Sequence, residues 1–159
     1  MPTSLAASCR RVPVRGLDFR LFDQGAGTPV LLLHGFPDDL EIWSGVIPHL
    51  LDAGYRVIAF DQRGFGDSSM PLGVQEYSTR KIVDDIPALL DELGIREPVL
   101  VMGHDWGAGI AWAMTMFYPE RVRAHGRQHG LGAPGRHDRD QLALIGNVER
   151  IESQHFASR

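Results

Sequence analysis

Short apolar runs alternate with longer stretches of helical period along residues 11–123. Leu17–Phe22 alternates apolar and polar positions as a half-buried strand does, and Val30–His34 (VLLLH) is a continuous apolar run of strand length broken by Gly35, Phe36 and Pro37. Apolar residues at 40, 42, 43, 46, 47, 50 and 51 predict a helix over Leu40–Leu51 buried on one face. Tyr55–Phe60 (YRVIAF) reads as a strand, and Asp61–Pro71 as a polar, Gly-rich loop. Ile82, Ile86, Leu89, Leu90 and Leu93 form the next helical stripe, which Gly94 should stop. Pro87 should cost that helix about 3 kcal/mol or kink it. Pro98–Met102 (PVLVM) predicts another buried strand, and Ala108–Tyr118 a helix ended by Pro119. Continuous apolar strands separated by helices imply an α/β fold: a mostly parallel sheet with helices on both faces.

The two ends depart from this pattern. Residues 1–10 are expected to be disordered, and residues 124–159 to form an irregular tail. Ala124–Arg139 (AHGRQHGLGAPGRHDR) holds four glycines, three histidines and three arginines with almost nothing apolar, and no periodicity survives there. Leu142–Ile151 could make a short helix, with nothing obvious to dock on. Residues 124–129, reverse-translated with free third bases and read one base later, permit Leu, Met, Val or Ala twice, Asn and Thr, the kind of strand ending that should follow PERVRA. The tail is therefore expected to be out of frame, which DNA sequence across codon 124 would test. Without that strand, 98–102 should lack an outer neighbour and the protein should aggregate.

Composition narrows the classes. At 159 residues one domain fits, and 43% hydrophobic with 23% charged residues excludes a disordered chain. Lys+Arg 16 against Asp+Glu 20 leaves a net charge of −4, so no whole-chain attraction to nucleic acid or anionic membranes is expected. The one cysteine, Cys9, cannot close an intrachain disulfide, and no run approaches the roughly 20 apolar residues of a membrane span. A cytoplasmic location is expected.

Gly103-His104-Asp105-Trp106-Gly107, between a predicted strand and a predicted helix, has the G-x-S-x-G form of a nucleophile elbow with Asp in the Ser position. Upstream lie His34-Gly35-Phe36-Pro37-Asp38 and Asp61-Gln62-Arg63-Gly64-Phe65-Gly66-Asp67-Ser68-Ser69, each after a predicted strand, and downstream lies FYPERVRA at 117–124. Over about residues 11–124 these motifs resemble the α/β-hydrolase superfamily, and within it the epoxide hydrolases most closely, so the resemblance implies the N-terminal part of an α/β-hydrolase fold.

A carboxylate with an ordinary pKa near 3.9 is already ionised at neutral pH, so an elbow Asp suits attack on a saturated carbon. Asp105 is the expected nucleophile, opening an epoxide or expelling a halide from a small molecule to leave an alkyl ester. Water activated by a histidine would then attack the ester. The backbone N–H groups of Phe36 and Trp106 are the expected oxyanion hole, each typically worth about 3–4 kcal/mol. Haloalkane dehalogenases are the main alternative; they share Asp105-Trp106 but usually place Asn after His-Gly, where Phe36 has no side-chain donor for halide. Fluoroacetate dehalogenases resemble the His-Gly-Phe-Pro stretch but usually carry Arg in place of Trp106. A noncatalytic, truncated member of the fold is the reading from another class.

His34, Gly35, Pro37, Gly103, His104 and Gly107 are expected to support the loops, with His34 and His104 packing or hydrogen-bonding rather than exchanging protons. Arg63 and Asp67 should brace their loop, and Trp43 and Trp112 are read as core or surface aromatics. Family order puts the acid and the histidine after the nucleophile, where Glu120, Asp138, Asp140, Glu149, Glu152 and His125, His129, His137, His155 stand. None ends a recognisable strand, so acid and base stay unassigned. His125 and His129 have a helical metal spacing, but Gly126, Gly130 and Gly132 argue against a helix, so no metal is expected. Gly64-Phe65-Gly66 is a loop turn, not a cofactor fingerprint, and no cofactor is expected. The oligomeric state is not legible.

Overall fold

The computed structural model describes residues 4–127, with side chains through 123. Among the described residues six strands form one mixed sheet: β1 (Cys9–Val14), β2 (Leu17–Gln24), β3 (Pro29–Leu33), β4 (Arg56–Phe60), β5 (Val99–Gly103) and β6 (Val122–Arg127), in the order β1-β2-β4-β3-β5-β6. β1 and β2 pair antiparallel, as do β2 and β4, whereas β3 runs parallel to both β4 and β5, and β5 parallel to β6. The helices are α1 (Ile47–Asp52), α2 (Thr79–Glu92) and α3 (Trp106–Phe117).

Every residue of β3 and β5 is buried, which explains their uninterrupted apolar runs. Period-2 alternation sorts those residues between two cores. Leu31, Leu33, Ile58, Phe60, Val99 and Val101 face α2 and α3 through Val83, Ile86, Leu89, Leu90, Ala111 and Met114. Val30, Leu32, Val57, Ala59, Leu100 and Met102 face Trp43, Ile47 and Leu50 on the other side. A fully buried Leu or Ile is worth about 1.5–3 kcal/mol over an exposed one, so these two layers hold the strand ends in place.

Several elements differ from the sequence expectations. Residues 4–10 are ordered: a short 3-10 turn at Ala6–Ser8 leads into β1. That strand hid behind Arg10, Arg11 and Pro13; as an edge strand it tolerates exposed charge and a proline without an N–H. The expected helix over 40–51 is a 3-10 segment, Leu40–Gly45, followed by α1. Gly45 closes the first piece, and Pro48, lacking an N–H, fits only the first turn of the second. α2 runs through Pro87, losing the one bond that residue would donate to the Val83 carbonyl while Val83, Ile86, Leu89 and Leu90 stay packed.

The irregular tail was expected to start at residue 124, leaving β5 without an outer neighbour. Instead β6 continues to Arg127, pairing Leu100 with Ala124, Val101 with His125, Met102 with Gly126 and Gly103 with Arg127. A ladder needs only backbone N–H and C=O groups, so a polar sequence can extend it; a register shift between Val99 and Leu100 accommodates the change. The possible helix at Leu142–Ile151 lies outside the described residues.

Candidate active site

β3 lies between β4 and β5 and is parallel to both, so the loops that follow all three strands emerge at one end of the sheet. His34–Asp38, Asp61–Ser69 and His104–Gly107 therefore meet there, the usual place for a site in an open parallel sheet.

Asp105 joins β5 to α3 with φ 51 and ψ −119, a conformation that costs a non-glycine residue about 1–3 kcal/mol and is held by its surroundings. The His104 N–H donates to the Leu33 carbonyl at 3.0 Å, the Gly107 N–H to the His104 carbonyl at 2.8 Å, and the Ala108 N–H to the Asp105 carbonyl at 3.0 Å. The flanking glycines are required by contact. A Cβ on Gly107 would lie 2.1 Å from the Leu33 oxygen, and one on Gly103 2.3 Å from the Gly107 oxygen.

The Asp105 side chain is exposed, and its Oδ2 accepts the Phe36 N–H at 3.1 Å. The N–H groups of Trp106 and then Phe36 hold its carboxyl below the usual carboxylate range, with a smaller pull from His104. Asp105 occupies the N-cap position of α3 without a side-chain capping bond, at a helix end whose N–H groups favour an anion. Phe36 and Trp106, read from sequence as a donor pair, thus converge on this carboxylate. The Phe36–Pro37 peptide is cis.

His34 is buried, and both ring nitrogens are engaged. Nε2 accepts the Gln62 N–H at 3.0 Å and Nδ1 lies 2.9 Å from the Gly35 carbonyl, so the ring proton is on Nδ1. Burial pushes the imidazole pKa down. Gln62 returns a bond from Nε2 to the His34 carbonyl at 2.7 Å, tying the loop after β4 to the loop after β3. His104 is part-exposed, with Nδ1 4.0 Å from Asp38 Oδ2.

The loop after β4 is internally braced. Asp61 is buried and accepts the Leu40 N–H at 2.8 Å and the Asp67 N–H at 2.9 Å. Arg63 forms a buried two-point pair with Asp85 of α2 at 2.6 and 2.7 Å and donates to the Glu76 carbonyl at 2.8 Å. Asp67 has an exposed side chain, 3.8 Å from Arg20. Trp43 is core, whereas Trp112 is exposed.

An open cavity of about 590 Å3 lies beside Phe36 and Trp106 and is also lined by Gln62, Phe65, Tyr77 and Ile82. From the sequence Phe65 was read only as part of a loop turn, and Tyr77 was given no role at the site. The signal was available in the topology: residues following β4 must sit next to residues following its parallel neighbour β3. Among the described residues no cluster of three metal-ligating side chains occurs, and no helix is long and apolar enough to cross a membrane. Glu120 lies in the 3-10 turn Pro119–Arg121, and His125 is placed only by its β6 backbone. Asp138, Asp140, Glu149, Glu152, His129, His137 and His155 lie outside the described residues.

The family model for the alpha/beta hydrolase fold matches residues 28–125. Bifunctional epoxide hydrolase 2 of Sus scrofa is 43% identical over 109 residues, covering 69% of this chain and 20% of that protein. Epoxide hydrolase 3 of Siraitia grosvenorii is 43% identical over 113 residues, 71% of this chain and 35% of the relative. Among solved structures, epoxide hydrolase A from Mycobacterium thermoresistibile superposes with a TM-score of 0.74 at 38% identity, covering 89% of this chain and 44% of that one. An epoxide hydrolase from Vigna radiata gives 0.72 at 39%, covering 75% and 37%. The chain thus spans about a fifth to a third of the length of these curated relatives. With a family match over more than half its length and a strand–turn–helix built around Asp105, the chain belongs to the alpha/beta hydrolase fold family, and within that family it resembles the epoxide hydrolases.

Proposed function

We propose that this chain carries the nucleophile and oxyanion hole of an epoxide hydrolase, with Asp105 as the attacking carboxylate. The observation that supports this most directly is the bond from the Phe36 N–H to Asp105 Oδ2, beside the N–H of Trp106. An oxygen already held by donors is the weaker nucleophile, so Oδ1 attacks the epoxide carbon. A C–O bond forms, the ring C–O bond breaks, and the alkoxide takes a proton from water. Oδ2 becomes the ester carbonyl oxygen, already placed where charge develops when water adds to that carbon. The relatives' names and the apolar cavity beside the carboxylate support a small epoxide as substrate.

The hydrolytic half of the cycle needs an acid and a histidine base, and His34 is not that base, because both its nitrogens are committed to the loops. The test is incubation of the full chain with a reactive epoxide, followed by mass spectrometry of the peptide containing Asp105. An added mass on Asp105 supports the reading; its accumulation would place the defect in ester hydrolysis, and its disappearance with diol formation would show a complete cycle. An unmodified Asp105 overturns it. A parallel assay for halide release from a haloalkane distinguishes dehalogenase chemistry, for which Phe36 offers no side-chain donor.

A further inference from the structure

The cavity wall two strands away from Asp105 carries an amide, that of Gln62. Ala59, Leu32 and Met102 lie level across β4, β3 and β5, and Gln62 and Asp105 each follow that level by three residues. Neighbouring strands are about 4.8 Å apart, which sets Gln62 roughly 10 Å from Asp105 at the same end of the sheet. Gln62 is 5% exposed, and its contacts fix which way the amide faces. The His34 carbonyl can only accept, so the group 2.7 Å from it is the Nε2 donor, and Oε1 is turned elsewhere. Oε1 makes no hydrogen bond with the described residues and is not sealed from solvent; the space that Gln62 borders is the cavity. Bracing the two loops uses the amide donor and the backbone N–H, so the acceptor is left over. Around it the lining is mainly apolar, with Phe36, Phe65, Ile82 and Ile110, and the Tyr77 hydroxyl is spent on the Pro71 carbonyl at 2.8 Å.

We propose that Gln62 Oε1 is a specificity-determining acceptor that selects epoxides whose chain ends in a hydroxyl. The proposal rests on the epoxide reading above and adds what the far end of the substrate carries. An alkyl chain filling the cavity strips water from Oε1 and leaves the amide oxygen unpaired, whereas a hydroxyl donates to it. By the same asymmetry a site built around a polar group rejects an analogue that lacks the partner. Of the span of roughly 10 Å, about 3 Å is the new hydrogen bond, and the remainder suits a hydroxyl about five or six bonds from the attacked carbon.

The experiment compares labelling of Asp105 in the full chain by 5,6-epoxyhexan-1-ol and by its methyl ether. The ether lacks the donor hydrogen, and the change is remote from the epoxide, so intrinsic reactivity is matched. The wild-type chain is expected to label about five-fold faster with the alcohol, the size of effect that one neutral hydrogen bond provides. Glycidol and its methyl ether, whose oxygen stops short of Gln62, should label at equal rates. In Gln62→Met the alcohol-to-ether ratio should approach one; this variant also loses the tie to His34, so the readout is the ratio and not the rate. Thr79→Val removes another hydroxyl from the lining and should keep the ratio. Equal wild-type rates for the longer pair, or the same preference in the glycidol pair, overturn the selectivity while leaving the epoxide reading intact, whether or not the variants fold. A ratio that persists in Gln62→Met, or collapses in Thr79→Val, overturns the role of Gln62. Labelling by none of the four compounds overturns both readings.

Discussion

A Cβ placed on Gly35 would lie 2.6 Å from the Cβ of Asp105, with the His104 oxygen at 2.8 Å and Asp105 Oδ2 at 2.9 Å. Two loops following different strands are thus in contact at Asp105, and the second donor, Phe36, reaches its carboxylate only because its neighbour has no side chain. Gly35→Ala must push the loops apart. Overpacking of this kind costs about 1–3 kcal/mol, and a chemical-denaturation curve should show that loss. Labelling of Asp105 by an epoxide should slow in the same variant, because the Phe36 N–H is displaced from Oδ2.

Asp105→Asn separates charge from shape. The amide oxygen can take the place of Oδ2 before the Phe36 N–H, and Asn accepts a positive φ better than most residues, so stability should stay within about 0.5 kcal/mol of wild type. The neutral amide is not a nucleophile toward an epoxide. Mass spectrometry should find no adduct at position 105, whereas thermal melting should be almost unchanged.

Much of this site was legible in the sequence because the constraints on it are local. The elbow glycines, the Asp between them and the His-Gly-Phe-Pro turn each announce a backbone requirement within five residues. Phe65 and Tyr77 were missed because their role comes from strand order, which carries them against residues some 30–40 positions away in sequence. The strands buried on both faces, β3 and β5, were read nearly to the residue. β1 and the end of β6 were not, since at the edges of the sheet that the described residues form backbone pairing alone admits Arg10, Pro13 and His125.

His34 should make stability depend on pH. Its folded pKa is lowered by burial, so the unfolded chain binds a proton first as pH falls. The contribution of the neutral ring is therefore fully present above the unfolded value of about 6.5 and is lost progressively below it. Protonation would also set a second ring N–H against the Gln62 N–H, 3.0 Å away, and loosen the tie between the two loops. Melting temperatures measured between about pH 7.5 and 5.5 should fall toward acid, and His34→Gln should flatten that fall.

Arg63 and Asp85 test whether the far wall of the cavity is held by charge or by reach. Both are buried, Arg63 at 4% and Asp85 at 1% exposure, and burial pushes the Asp85 carboxyl up against the opposing pull of Arg63. Arg63→Met leaves that carboxyl facing only the half-exposed Arg15 at 3.5 Å, and stranding a buried charge costs about 3–5 kcal/mol. Arg63→Met combined with Asp85→Leu removes both charges and should recover most of the loss if charge dominates. Arg63 also donates to the Glu76 carbonyl, next to Tyr77 on the cavity wall, and neither substitution restores that bond. Denaturation curves of the single and double variants separate the two: recovery in the double variant assigns the cost to the stranded carboxylate, and equal destabilisation assigns it to the lost anchor on the 63–77 loop.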